Sequence, residues 1–107
     1  MNAATKIYSK DEFYAECLRR LEANAPNYDA RRLYDAVAAA LVDGTSAEDI
    51  DDKLDLYEDG MDATRFRLDE NSARAFGCTS IVAITKWQFD EDNEPTVGET
   101  LEYIFED

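Results

Sequence analysis

Apolar residues recur at helical spacing through the first half of the chain and alternate with polar ones through much of the second. Ser9-Lys10-Asp11-Glu12 has the form of a capping box, in which a hydroxyl and a carboxylate satisfy orphan N–H groups at a helix start. Phe13, Cys17 and Leu21, with Tyr14 and Leu18 beside them, continue at helical spacing to about Ala23, and Pro26 enforces a break. A second helix is predicted over residues 28–42, with Ala30, Leu33, Tyr34, Val37 and Leu41 on its inner face and Gly44 as its stop. The run Ala38 to Ala40 would let a neighbouring helix approach closely, while Arg31 and Arg32 sit beside Asp29 and Asp35 for local pairing. Ser46 is a suitable N-cap for a third helix, with Glu48 and Asp49 in its first turn and a core stripe of Ile50, Leu54 and Tyr57.

After Gly60 the pattern changes. Residues 65–69 alternate as a short strand would, residues 70–76 suit one or two helical turns ending at Gly77, and residues 81–89 form the clearest strand. Ile81, Ala83, Thr85, Trp87 and Phe89 lie on one face of that strand, and Val82 and Ile84 on the other predict burial of its first half on both sides. Asp90 to Glu94 reads as an acidic loop closed by Pro95. The last segment fits two patterns: Thr96 to Glu99 has capping-box form and Val97, Leu101 and Phe105 suit a helix, whereas Tyr103 to Phe105 suit a strand. The pattern is weighted towards helix. The class is therefore α+β, with N-terminal helices packed on a small antiparallel β-sheet and a C-terminal segment that is helix or strand.

A length of 107 residues suits one domain, and a hydrophobic content of 45% predicts an ordinary folded core. No apolar run reaches membrane-spanning length and residues 1–9 lack the apolar core of a secretory signal, so the expected location is the cytoplasm, without membrane association. Cys17 and Cys78 are far apart and outside any Cys-x-x-Cys spacing, which points to two small core residues.

Charge sharpens the picture. The net charge is −14, and residues 51–107, with sixteen acids and five bases, carry −11 of it. Such a charge speeds encounter with basic partners and argues against direct nucleic-acid binding, which clustered Lys and Arg would have to mediate. The chain has no His, which removes the commonest general base, and its four Gly are too scattered for a phosphate-cradling loop. Calcium-loop spacing fails as well. A loop begun at Asp55 meets Tyr57 and Phe66 where oxygen ligands are needed, and one begun at Asp90 meets Pro95 in place of Gly and Leu101 in place of Glu. No catalytic residue, metal ligand or cofactor is assigned, and the expectation is a protein without enzymatic activity.

The most unusual feature lies on the outer face of the third helix. Between Asp43 and Asp62 nine acids face a single base, Lys53. Asp51, Asp55, Glu58 and Asp62 fall at i, i+4, i+7 and i+11, flanked by Asp52 and Asp59, which on one helix would set a carboxylate every ~5–6 Å along ~16 Å. That pitch approaches the pitch of a phosphate backbone. Together with Asp90, Glu91 and Asp92 and the acids of the tail, the row is a candidate surface for a basic partner, with Tyr57, Met61 and Tyr103 as candidates for an apolar centre. Exposure of Met61 and Tyr103 beside Tyr57 would make a homodimer patch equally reasonable.

In size, charge balance and lack of catalytic residues the chain resembles the phage and mobile-element inhibitors that mimic nucleic acid, anti-restriction and anti-CRISPR proteins among them. By the same standard it resembles acidic immunity proteins and antitoxins that neutralise basic nuclease toxins. Either resemblance implies a basic protein partner, a nucleic-acid-binding protein or a nuclease. A small acidic adaptor without mimicry is the remaining alternative.

Overall fold

The capping box forms as its spacing dictates. In the computed structural model, which describes residues 6–27, 30–96 and 98–107, Ser9 Oγ accepts from Glu12 N–H at 3.3 Å and Glu12 Oε1 accepts from Ser9 N–H at 3.1 Å. These bonds hold the Glu12 carboxyl below its usual range. They start α1 (Lys10–Asn24), which directs Phe13, Cys17 and Leu21 into the core and ends where Ala25 N–H reaches Leu21 O, just before Pro26.

The second helix is shorter than its pattern. Residues 28 and 29, its predicted start, lie outside the described residues, as does the Ala30 side chain. A single 3-10 turn (Ala30–Arg32) leads into α2 (Leu33–Ala40), whose first turn has no side-chain cap. Val37 is buried and Leu33 and Leu41 half-buried, but Tyr34 faces solvent and stacks on Tyr14 with ring centroids 4.4 Å apart. Ala38 and Ala39 are exposed, so no described helix packs closely there. Gly44 opens a strand, pairing with Phe66, instead of ending the helix, and only glycine fits there, since a Cβ would stand 2.4 Å from Thr64 Cγ2 and 2.7 Å from the Phe66 ring.

The sheet takes in more of the chain than local pattern indicates. Strands β1 (Tyr8–Ser9), β2 (Gly44–Ser46), β3 (Met61–Arg67), β4 (Ser80–Lys86) and β7 (Thr100–Glu106) pair antiparallel in the order β1-β7-β4-β3-β2. A separate hairpin, β5 (Gln88–Phe89) with β6 (Pro95–Thr96), follows β4. The C-terminal segment is thus a strand, and the helical weighting is corrected. Thr96 Oγ1 donates to Gln88 O at 3.2 Å within the hairpin instead of capping a helix, and Val97 lies outside the described residues. Ladders with β4 and β1 then satisfy the backbone of β7, a gain that short-range periodicity does not register.

Both faces of the sheet are covered. On one, Phe13, Cys17, Leu21 and Val37 pack with Phe76, Ile81, Ala83 and Tyr103, and the Phe13 and Tyr103 rings stack 3.8 Å apart. α4 (Glu70–Phe76) joins this layer, capped by Asp69 and stopped by Gly77 in the left-handed region, as residues 70–77 predict. Arg20 Nη1 of α1 donates to Phe76 O at 2.9 Å at the end of α4. Cys17 and Cys78 are free thiols inside the layer, and burial pushes them up to about 12 and about 11. The opposite face packs Ala63, Val82, Ile84 and Ile104 under α3 (Glu48–Leu54) and Leu56. Val82 and Ile84 are therefore buried opposite Ile81 and Ala83, the two-sided burial predicted for the first half of that strand. No described helix is long and apolar enough to cross a membrane.

Candidate functional site

The third helix begins without its predicted cap. Ser46 closes β2, and Ala47 N–H continues the β-pairing to Ala63 O at 2.9 Å, so α3 starts directly from the sheet edge. It lasts seven residues, because Asp55 adopts the left-handed conformation at φ 54°. Residues 55–60 then fold into turns closed by Leu56 N–H to Asp51 O at 3.0 Å and Met61 N–H to Leu56 O at 2.8 Å. The residue that seals this turn to the sheet is Leu56, while Tyr57, predicted for the core stripe, stands 57% exposed.

The acidic row accordingly does not exist as one helical face. Asp51 points inward and has no exposed surface, because Ala47, Ile50, Asp51 and Leu54 form the i, i+3, i+4, i+7 stripe that meets the sheet. Neither of its oxygens makes a hydrogen bond of ordinary length, the Tyr57 hydroxyl being a neighbour at longer range. Desolvation, followed by the Asp62 carboxyl, raises its pKa against the opposing influence of the Tyr57 hydroxyl. That hydroxyl is itself pushed up to about 12, first by Asp51. Asp62 belongs to β3, is half-buried, and accepts its neighbour Ala63 N–H on Oδ1 at 2.9 Å. Asp52, Asp55, Glu58 and Asp59 are the members that face solvent.

The second acidic segment is the tip of the β5–β6 hairpin. Asp90 Oδ1 accepts from Asp92 N–H at 3.0 Å and Glu94 N–H at 2.9 Å, so this carboxylate organises the turn, while Glu91 and Asp92 project freely. Register joins the acidic turn to the root of this hairpin. Met61 pairs with Lys86, and Trp87 N–H donates to Gly60 O at 2.9 Å, which places the 55–60 turn beside the root of the hairpin at one end of the sheet.

Aromatic residues occupy this end. Trp87 and Phe89 are exposed, as is Tyr57, whereas Tyr103 is buried against Phe13 and Met61 is half-buried. Tyr103 is thus removed from the predicted apolar centre. Trp87 and Phe89 are the exposed rings at this end besides Tyr57. Their alternation continues the buried face of β4, and only the break in the ladder at Trp87 turns them outward. Below them Asp62, Thr64, Thr85, Trp87 and Gly98 line a pocket of about 120 Å³.

The opposite end of the sheet has different electrostatics. Arg65 bridges Asp49, at 2.8 and 3.2 Å, and Glu106, at 2.7 and 3.0 Å, tying α3 to β7. This pairing lowers the Asp49 carboxyl and leaves the adjoining shallow groove with arginines and carboxylates in near balance. Among the described residues no three Cys, Asp or Glu side chains converge to hold a metal ion. The fold is α+β, and this end of its sheet carries exposed aromatic rings and exposed carboxylates. No family model, curated protein or solved structure matches the chain.

Proposed function

We propose that this protein binds a basic partner whose own groove holds nucleic acid, and that it inhibits that partner by filling the groove with the acidic end of its sheet. The observation that carries the reading is the Trp87 to Gly60 hydrogen bond, which joins two acidic segments around exposed aromatic rings. Asp52, Asp55, Glu58 and Asp59 on one side and Glu91 and Asp92 on the other supply long-range attraction. Tyr57, Trp87 and Phe89 supply the desolvated contacts on which affinity rests, since carboxylates alone lose hydration for little net gain. In this reading the protein carries out no reaction of its own, and nucleases belong to the same partner class because their substrate grooves are equally basic.

The test is capture of partners by the purified protein at low and high salt, followed by competition with duplex DNA or RNA. The expected partner is retained at low salt, displaced by nucleic acid, and held about tenfold more weakly when Asp55→Asn, Glu58→Gln, Asp59→Asn and Asp92→Asn are combined. A partner that survives high salt, competition and the fourfold variant would overturn the reading.

A further inference from the structure

The pocket at the acidic end has the chemistry of a receptor for one cationic side chain. Its wall carries a single carboxylate, Asp62, which the Ala63 N–H holds in place through Oδ1 at 2.9 Å. Thr64 and Thr85 add two hydroxyls, Trp87 adds an aromatic wall, and none of the lining residues is basic. Adjacent to Asp62 lies the wholly enclosed Asp51, whose two oxygens make no hydrogen bond of ordinary length. A cation in the pocket would be attracted by the Asp62 carboxylate and by the negative face of the indole. The arginine groove at the other end of the sheet lacks this character, because Asp49 and Glu106 already occupy the Arg65 guanidinium. Size agrees with the assignment: about 120 Å³ admits the end of a flexible chain, not a drug-sized ligand. Gly98 makes the closure possible, since a Cβ there would stand 1.4 Å from Lys86 O.

We propose that the pocket of Asp62, Thr64, Thr85, Trp87 and Gly98 receives the alkyl cation of a lysine or arginine side chain presented by the partner. The stem lies along the Trp87 ring and the charged head reaches Asp62 and the two threonine hydroxyls. The inference rests on reading this end as a partner surface, and it converts diffuse attraction into a fixed point of register.

Trp87 is the only tryptophan of the chain, so its emission reports on the pocket without a label. The probes are Nα-acetyl-lysine amide and Nα-acetyl-arginine amide at constant ionic strength, with Nα-acetyl-norleucine amide as the uncharged control. The expected result is a saturable change with at least one cationic amide, the tighter of the two naming the side chain, and only a weak linear drift with norleucine. Asp62→Asn should weaken the response about tenfold, equivalent to 1.4 kcal/mol, while Glu22→Gln on the exposed side of α1 leaves it within about twofold. If Asp62→Asn alters the circular dichroism spectrum, Trp87→Phe followed by the amide shifts of Thr64 and Thr85 gives the same reading. Equal responses to all three amides, or indifference to both substitutions, would overturn the pocket. Salt-dependent capture of a partner that ignores Asp62→Asn would remove the pocket and leave the acidic surface standing. Amide binding without any captured partner would do the reverse.

Discussion

Asp51 illustrates how one residue type can mislead while its spacing informs. Ala47, Ile50, Asp51 and Leu54 satisfy an amphipathic stripe, so its inward position was legible, but a carboxylate is ordinarily assigned to solvent. An enclosed carboxyl removed from water favours its protonated form, and in the pH range between the ordinary Asp value of 3.8 and its raised folded value the native state holds more protons than the unfolded chain. Stability from this group therefore falls as pH rises through that range. Glu16 acts oppositely. Held at about 2 by its bond to Arg19, and further by Arg20, it contributes stability that is lost as pH falls from 4.5 towards about 2. Asp51→Asn keeps the shape and removes the titration, and the expected gain near neutral pH is on the order of 1–3 kcal/mol. Thermal melts of both proteins across pH check this: their difference should widen above 3.8, and a constant difference would mean that Asp51 titrates as an ordinary surface acid.

Among the elements, α1, α4 and the buried half of β4 were legible because local chemistry and tertiary packing agree, as at the Ser9 box and the Gly77 stop. α3 and β7 were not, because tertiary geometry decides them. Helical spacing continues from Asp51 to Asp62, but the chain must turn at Asp55 and Gly60 to enter β3, and Thr96 to Glu99 imitate a cap while feeding a strand. The glycines at these joints differ in kind. Gly60 has φ +69° and nothing near its missing Cβ, so Gly60→Ala meets only left-handed strain of about 1 kcal/mol. Gly98 abuts the Lys86 carbonyl, and Gly98→Ala forces the entry to β7 away from β4, at about 3 kcal/mol or more. Denaturant unfolding of the two variants should rank them in that order, and equal losses would contradict the close approach at Gly98.

For the whole molecule, the asymmetry of charge was plain in the sequence, but its concentration at one end of the sheet depends on the pairing of Met61 with Lys86, which no local pattern reports. The same charges should give salt two opposite effects. Screening relieves self-repulsion within a chain of net charge −14 and raises its melting temperature, while it weakens attraction to a basic partner over a Debye length of about 10 Å at 0.1 M. Charges and rings then divide the kinetics between them. Replacing Asp55, Glu58, Asp59 and Asp92 by amides should slow association about tenfold at low salt and change dissociation little, because these carboxylates stand at the rim. Phe89→Ala, on an exposed ring at the hairpin, should leave association nearly unchanged and speed dissociation about tenfold or more, as loss of an interface anchor does. Surface plasmon resonance on the captured partner separates the two rates. If Phe89→Ala slows association and the amide variant speeds dissociation, the carboxylates make the close contacts and the aromatic centre is not the anchor.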